Sequence, residues 1–302
     1  MNSYYIKHIY VSGMPRTPLV DIDFEDTSVI TGEQASGKTV LMRIMAGLYE
    51  YARIGDLKCI SSMLCCIDND EWFGRTVTWF HLFDVAKIWL ADGTNCELVA
   101  VDSKNGIYNL SINGSEPTQV KLPEVVYPKK YSLVFLDARR CTRFDKIIGE
   151  ILETDGFTMN FDEYTALCES ILGEGNIPKI SRNIPVKGKN NGNRWKAMVE
   201  EWIAFLGHGE TELLLIYLLS RHPTVMLIDE LHSGFHPLAQ PRVARYVLDE
   251  LAKINVQVIY TTTSPFCKRD VSDKVAELAY KAVINPEEPK TESGNAEQKG
   301  GA

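Results

Sequence analysis

An apolar stretch, a glycine-rich turn and a periodic apolar stretch follow one another in SVITGEQASGKTVLMRIMAGLYEY, residues 28–51, and the turn holds Gly32, four residues, then Gly37, Lys38 and Thr39. No other feature constrains the chain as tightly. Small residues at this spacing let backbone N–H groups turn inward around a phosphate, while the helix that follows aims its N-terminus at the anion. Val29 and Ile30 end the strand, and Val40, Leu41, Ile44, Met45 and Leu48 recur at helical spacing. Gly32, Glu33, Gln34, Ala35, Ser36, Gly37, Lys38, Thr39 and Val40 are therefore expected to surround the phosphates of a nucleotide. The Lys38 ammonium suits the β and γ phosphates, and the Thr39 hydroxyl suits one position in the oxygen shell of Mg²⁺.

Such a loop stands on a parallel sheet, and the chain supplies candidate strands. Apolar runs at 131–136 (YSLVFL) and 224–228 (TVMLI) read as buried strands, and 256–264 (VQVIYTTTS) reads as a further strand. Residues 5–11 and 19–24 read as two further strands ahead of the loop. VAKIWL, CELVAV and IYNLSI are punctuated by Asp92-Gly93, Asn105-Gly106 and Asn113-Gly114, each a hairpin signal, and so read as an antiparallel meander. Helical patches occupy 143–173 and 198–205, and Val243, Tyr246, Val247, Leu251 and Ile254 mark one amphipathic helix. The expected class is α/β: a P-loop nucleotide-binding fold with a mixed core sheet flanked by helices and an antiparallel meander beside it. Residues 1–285 are expected to form the folded head, with 1–50 and 196–285 as its core and 51–195 as an inserted meander and helical lobe. The Pro-, Gly- and Glu-rich stretch 286–302 reads as a disordered tail.

The run TVMLI ends in Asp229 and Glu230, the acid pair that a P-loop ATPase needs at the end of a second strand. Asp229 is expected to hold Mg²⁺, and Glu230 to accept the proton of the attacking water. The run MLIDELHSGFHPLAQ, followed by VQVIYTTTSPF, resembles the ABC-type ATPases outside the transporter group: heads of structural-maintenance-of-chromosomes (SMC) proteins, OLD-family ATPases and their single-domain prokaryotic relatives. The likeness covers 1–50 and 196–270 and touches the middle only in its meander layout. It implies an ABC-type head with a D-loop at 233–237 and a signature loop at Leu206, Gly207, His208, Gly209 and Glu210. It further implies that each signature loop completes the site of a second copy, so that ATP clamps two heads together.

Two positions depart from that family. Gly207 stands where a serine is usual, which removes one hydroxyl donor to the γ-phosphate. Thr263 stands where a switch histidine is usual, and it can donate one hydrogen bond but has no titratable ring. With Thr263 in that catalytic position, hydrolysis is expected to be slow, or the ATP-bound dimer to be the state that matters. His208 and His232 lie near the expected γ-phosphate region and read mainly as structural.

A net charge of −8 and a pI near 5.4 exclude a protein that coats nucleic acid with its whole surface. One local patch remains: Lys179, Arg182, Lys187, Lys189, Arg194 and Lys196 lie in 177–197 with no acid among them. It reads either as a solvated loop or as a track for a phosphate backbone, whose binding weakens steeply with salt. No stretch approaches the roughly 20 apolar residues of a membrane span and no signal-peptide core is present, so the cytoplasm is expected. The seven cysteines lack paired spacing and read as buried thiols. Expected ligands are ATP and Mg²⁺; expected partners are a second copy, an effector protein in trans and nucleic acid through 177–197, with no membrane. The expected role is DNA maintenance or mobile-element defence, with any nuclease or toxin activity supplied by a second polypeptide. A transporter motor is the alternative, disfavoured by the altered signature and switch positions. A P-loop kinase is disfavoured because Glu230 beside Asp229 suits water as the nucleophile.

Overall fold

The computed structural model describes residues 5–24, 28–64, 83–122, 133–136, 160–173, 206–221, 225–268 and 271–278. The basic segment 177–197, the helical patch 198–205 and the tail 286–302 lie outside the described residues.

Strands β3 (Val29–Gly32), β8 (Leu133–Leu136), β9 (Val225–Ile228), β10 (Gln257–Thr262) and β11 (Val275–Leu278) form a five-stranded parallel sheet in the order β11-β3-β10-β9-β8. Parallel strands need cover on both faces, and alternate residues provide apolar contacts to each side. Ile30, Val225, Leu227 and Ile259 pack toward helix α1 (Lys38–Ile54), whereas Val29, Met226, Ile228, Val258 and Tyr260 pack toward α3 (Phe161–Leu172), α4 (His208–Ser220) and α5 (Gln240–Arg245). From Leu213 to Leu219 helix α4 is apolar all round, as a helix enclosed on every side must be, and its residues 211–220 are all buried. Helix α1 ends at Gly55, whose φ of 74° lets its N–H donate to the Tyr51 carbonyl at 2.8 Å. Helix α2 (Leu57–Leu64), which the sequence pattern left illegible, lies against Gly47, where a Cβ would come within 3.3 Å of the Ile60 Cα.

The second sheet covers the other side of α1. Strands β1 (Ile6–Ser12), β2 (Leu19–Asp23), β4 (Val85–Leu90), β5 (Asn95–Asp102), β6 (Ile107–Ile112) and β7 (Thr118–Lys121) pair antiparallel in the order β2-β1-β4-β5-β6-β7. The expected meander is thus continued by the two N-terminal strands, because β1 pairs with β4 from Ser12 opposite Val85 to Ile6 opposite Leu90. The α/β class stands, and among the described residues the core sheet is wholly parallel rather than mixed. Short turns can only return a strand antiparallel, so the hairpin-linked strands collect in one sheet and the crossover-linked strands in the other.

The expected single helix after residue 240 needs a correction. Helix α5 passes through a wide, π-type segment (Tyr246–Glu250) into Leu251–Lys253. Val243, Val247 and Leu251 stay buried, but Ile254 lies beyond the helix and is 50% exposed. The wider turn shifts the phase of the apolar stripe, which a constant helical period cannot follow. One side chain joins the two sheets directly: the Gln257 amide accepts from the Ile6 N–H at 2.8 Å and donates to the Ile6 carbonyl at 2.8 Å.

Candidate functional site

Strand β10 lies between β3 and β9, so the segments leaving the C-terminal ends of these three strands meet in one place. Ligands of open parallel sheets sit at such an end. The loop after β3 supplies Lys38 and Thr39, the turn after β9 supplies Asp229 and Glu230, and the end of β10 supplies the threonines 261–263.

In the loop, the Lys38 ammonium donates to the carbonyls of Gly32 at 3.0 Å and Glu33 at 2.7 Å and lies 3.4 Å from the Ser36 hydroxyl. Burial lowers its pKa from the ordinary lysine value, against the opposing pull of the Glu230 and Asp229 carboxylates. Gly32 is confined: a Cβ there would come within 2.7 Å of the Leu278 carbonyl and 2.8 Å of the Ser36 hydroxyl. Ala35 (φ 65°) and Gly37 (φ 95°) are left-handed, the backbone habit of concave, N–H-lined anion nests. The turn between β1 and β2 braces this loop from outside, with Thr17 Oγ1 donating to the Ser36 carbonyl at 2.5 Å and the Arg16 guanidinium to the Ala35 carbonyl at 3.3 Å. Glu33, Gln34 and Ala35 are exposed, and Val40 lies half-buried on the first turn of α1.

Asp229 is wholly buried and is the hub of the site. Its Oδ2 accepts from the Thr39 hydroxyl at 2.6 Å, and its Oδ1 accepts from the Thr261 hydroxyl at 2.6 Å. The Thr261 oxygen in turn accepts from the Glu230 N–H at 2.8 Å. Glu230 is half-buried, with its Oε2 3.5 Å from His232 Nε2. Thr263, exposed at the tip of β10, has its hydroxyl 3.4 Å from the same nitrogen. Oxygen donors alone, one carboxylate beside one hydroxyl, form the donor set of a small hard cation that takes its remaining ligands from phosphate and water. Among the described residues no group of three or more His, Cys, Asp or Glu side chains is arranged for a metal ion.

The 206–210 segment opens α4. Gly207, at φ −68° and ψ 160°, has its N–H held by Glu210 Oε2 at 2.7 Å, half of a capping box whose other half needs a side chain that glycine lacks. Gly207 and His208 are exposed. Gly209 is packed: a Cβ on it would meet the Gly234 carbonyl at 3.3 Å and the Leu172 side chain at 3.5 Å. His208 Nε2 lies 3.9 Å from Glu212 Oε1, and this pair abuts Gly234. The 206–210 loop thus packs against the 233–237 turn of its own chain.

Lys38, Thr39, Asp229, Glu230 and Thr263 are therefore brought into one neighbourhood, while Lys179, Arg182, Lys187, Lys189, Arg194 and Lys196 lie outside the described residues. Sequence reasoning missed Thr261 and Thr262 altogether and undervalued His232. The available signal was a run of three threonines at the end of a strand that had to adjoin the acid-bearing strand.

A parallel sheet with a Gly-rich loop after one strand, an acid pair after another and an antiparallel sheet across the first helix is an arrangement similar to the SMC head fold. An SmcHead bound to the C-winged helix domain of ScpA matches with a TM-score of 0.53 at 14% identity, over 92% of this chain and 94% of that one. The SMC head domain from Thermotoga maritima matches with a TM-score of 0.50 at 17% identity, over 90% of this chain and 94% of that one. Residues 206–267 match the family described as "AAA domain, putative AbiEii toxin, Type IV TA system". A search of curated proteins returns no match to the sequence. Among the described residues no helix is long and apolar enough to cross a membrane.

Proposed function

We propose that the chain binds ATP with Mg²⁺ in the loop 32–40 and hydrolyses it slowly, two copies closing on the nucleotide. The observation that carries this reading is the 2.6 Å contact between the Thr39 hydroxyl and Asp229, two hard oxygen donors 190 residues apart in sequence. Thr39 and Asp229 would hold the Mg²⁺, which when bound neutralises charge on the phosphate oxygens. Lys38, already buried in the loop, exchanges its carbonyl partners for phosphate oxygens. Glu230 accepts the proton of the attacking water, and its backbone is fixed for that task by Thr261. Residues 207–210 are read as the loop that meets a second copy's nucleotide, which fits the exposure of Gly207 and His208.

ATP-dependent closure of this kind transmits a state rather than a product, so an effector protein is the natural recipient. The similar SmcHead was solved with a winged-helix domain of ScpA, and the family matched at 206–267 is described as part of a toxin–antitoxin system; both support a partner and a role in DNA maintenance or mobile-element defence. A nucleic-acid contact through 177–197 rests on the sequence.

Two measurements test the reading together. By calorimetry, Lys38→Ala is expected to weaken Mg-ATP binding roughly 10- to 100-fold, the worth of hydrogen bonds to a charged group; unchanged affinity means that the site is misassigned. By light scattering, Glu230→Gln is expected to become a dimer with ATP and remain a monomer without it. A monomer in both conditions, with hydrolysis undiminished, removes both the clamp and the base.

A further inference from the structure

The turn after the acid pair supplies an imidazole that the end of β10 lacks. His232 is half-buried, with Nδ1 3.0 Å from the Thr262 hydroxyl and Nε2 3.4 Å from the Thr263 hydroxyl and 3.5 Å from Glu230 Oε2. One ring thus reaches the carboxylate and both threonines. Thr262 is wholly buried, and its hydroxyl oxygen also accepts from the Ser264 N–H at 3.0 Å, so this anchor is fixed by backbone. An ionised carboxylate only accepts hydrogen bonds, so the tautomer that serves Glu230 is the one with the proton on Nε2, which leaves Nδ1 to accept from the Thr262 hydroxyl. The ring is thereby held at Nδ1 by Thr262, with Nε2 turned to the Thr263 hydroxyl and the Glu230 carboxylate.

We infer that His232 is the positioning residue of the Glu230 carboxylate. This rests on the ATPase reading of the site and assigns its missing histidine to the turn after β9 instead of the end of β10. Each rotamer of Glu230 turned away from the water lowers the fraction of chains ready to react. The Nε2–H contact selects one arrangement. The ring's other nitrogen is anchored on buried Thr262, while the Thr263 hydroxyl shares the Nε2 side with Glu230.

A structural role and a positioning role separate in kinetics. If His232 only fastens the turn, its loss lowers the melting temperature and leaves turnover intact. If it positions Glu230, its loss lowers kcat while KM and the equilibrium affinity for ATP stay put, because the residues read as holding the phosphates are those of the loop 32–40. The experiment is single-turnover hydrolysis and equilibrium Mg-ATP binding on the full chain for wild type, His232→Ala, His232→Gln and His232→Asn. Expected is a loss of roughly 10- to 100-fold in rate for His232→Ala, the scale of a displaced catalytic group, with ATP affinity within about twofold of wild type. His232→Gln, whose amide N–H reaches the depth of Nε2, recovers most of the rate, and His232→Asn, which reaches only the depth of Nδ1, does not. Wild-type rates in His232→Ala, or equal rates in the Gln and Asn variants, overturn the assignment while leaving ATP binding intact. Absence of ATP binding in the wild type instead overturns the site reading, and the inference with it.

Discussion

Glu230 holds a φ of 55°, a left-handed backbone that costs an L-residue about 1–2 kcal/mol. Thr261 imposes it: its hydroxyl oxygen takes the Glu230 N–H at 2.8 Å, and its carbonyl takes the Leu231 N–H at 3.0 Å. The same hydroxyl donates to Asp229, so one threonine sets the place of both acids. Glu230→Gly enters the left-handed region without steric cost and is expected to melt at or above the wild-type temperature while losing hydrolysis. A calorimetric melt several degrees lower contradicts the strain. The acids themselves were legible in the sequence, because two carboxylates closing a buried apolar run are costly to place there unless a cation or a substrate uses them. Thr261 and His232 were not. Threonine in a strand reads as packing, and its hydroxyl acquires a partner only when β10 settles beside β9, a fact of tertiary pairing. His232 lies in a turn, where no periodicity tells which way a side chain points.

The helix that opens at Gly207 carries half a capping box, and its backbone already has the extended angles of an N-cap. Among the described residues, a Cβ at Gly207 would meet only the Glu210 carboxylate, with Oε2 at 3.6 Å. Gly207→Ser is therefore expected to complete the box and raise stability by a few tenths of a kcal/mol, read as a small upward shift in Tm. Under the clamp reading it also restores the hydroxyl donor, so ATP-driven dimerisation should strengthen in the same variant; a destabilised Gly207→Ser shows that the loop has no room for the side chain. Gly209 is a poorer probe, since any side chain there presses on the Gly234 carbonyl and disturbs the chain's own turn before it can disturb a neighbour. Elements with strict chemistry were readable at this scale: the strand–loop–helix at 29–54, the hairpin turns and the apolar strands. Strand β7 was not, because Thr118–Lys121 is polar and lies at the edge of its sheet. The wide turn in the helix after 240 was hidden by an apolar spacing that a constant helical period also satisfies as far as Leu251.

Across the whole molecule, burial sets the limits on conditions. It pushes the thiols of Cys96 and Cys267 up to about 12 and those of Cys59 and Cys168 up to about 11, from an ordinary value of 9.0. Between those values the unfolded chain has released protons that the native chain still holds, so their stabilisation is complete below pH 9 and is lost as pH rises toward 12. The Tyr246 phenol, pushed up to about 12 by burial, acts with the same sign. Lys38 acts with the opposite sign, but it is one group against several. Thermal melts from pH 7 to 11 are expected to hold level and then fall beyond about pH 9; a flat profile indicates that these groups ionise freely in the native state. The arrangement of the parallel sheet bears on how such a chain is made. The strand that leads into the phosphate loop is close to its partners in space and far from them in time of synthesis: β3, at 29–32, is flanked by β10 at 257–262 and β11 at 275–278. A nascent chain on the ribosome carries its most recognisable motif from the start, yet that motif has no sheet to stand on until almost every residue described has been translated. Through that interval its apolar strand lacks the partners that bury it, and pairing over so long a separation is slow and leaves strand edges open.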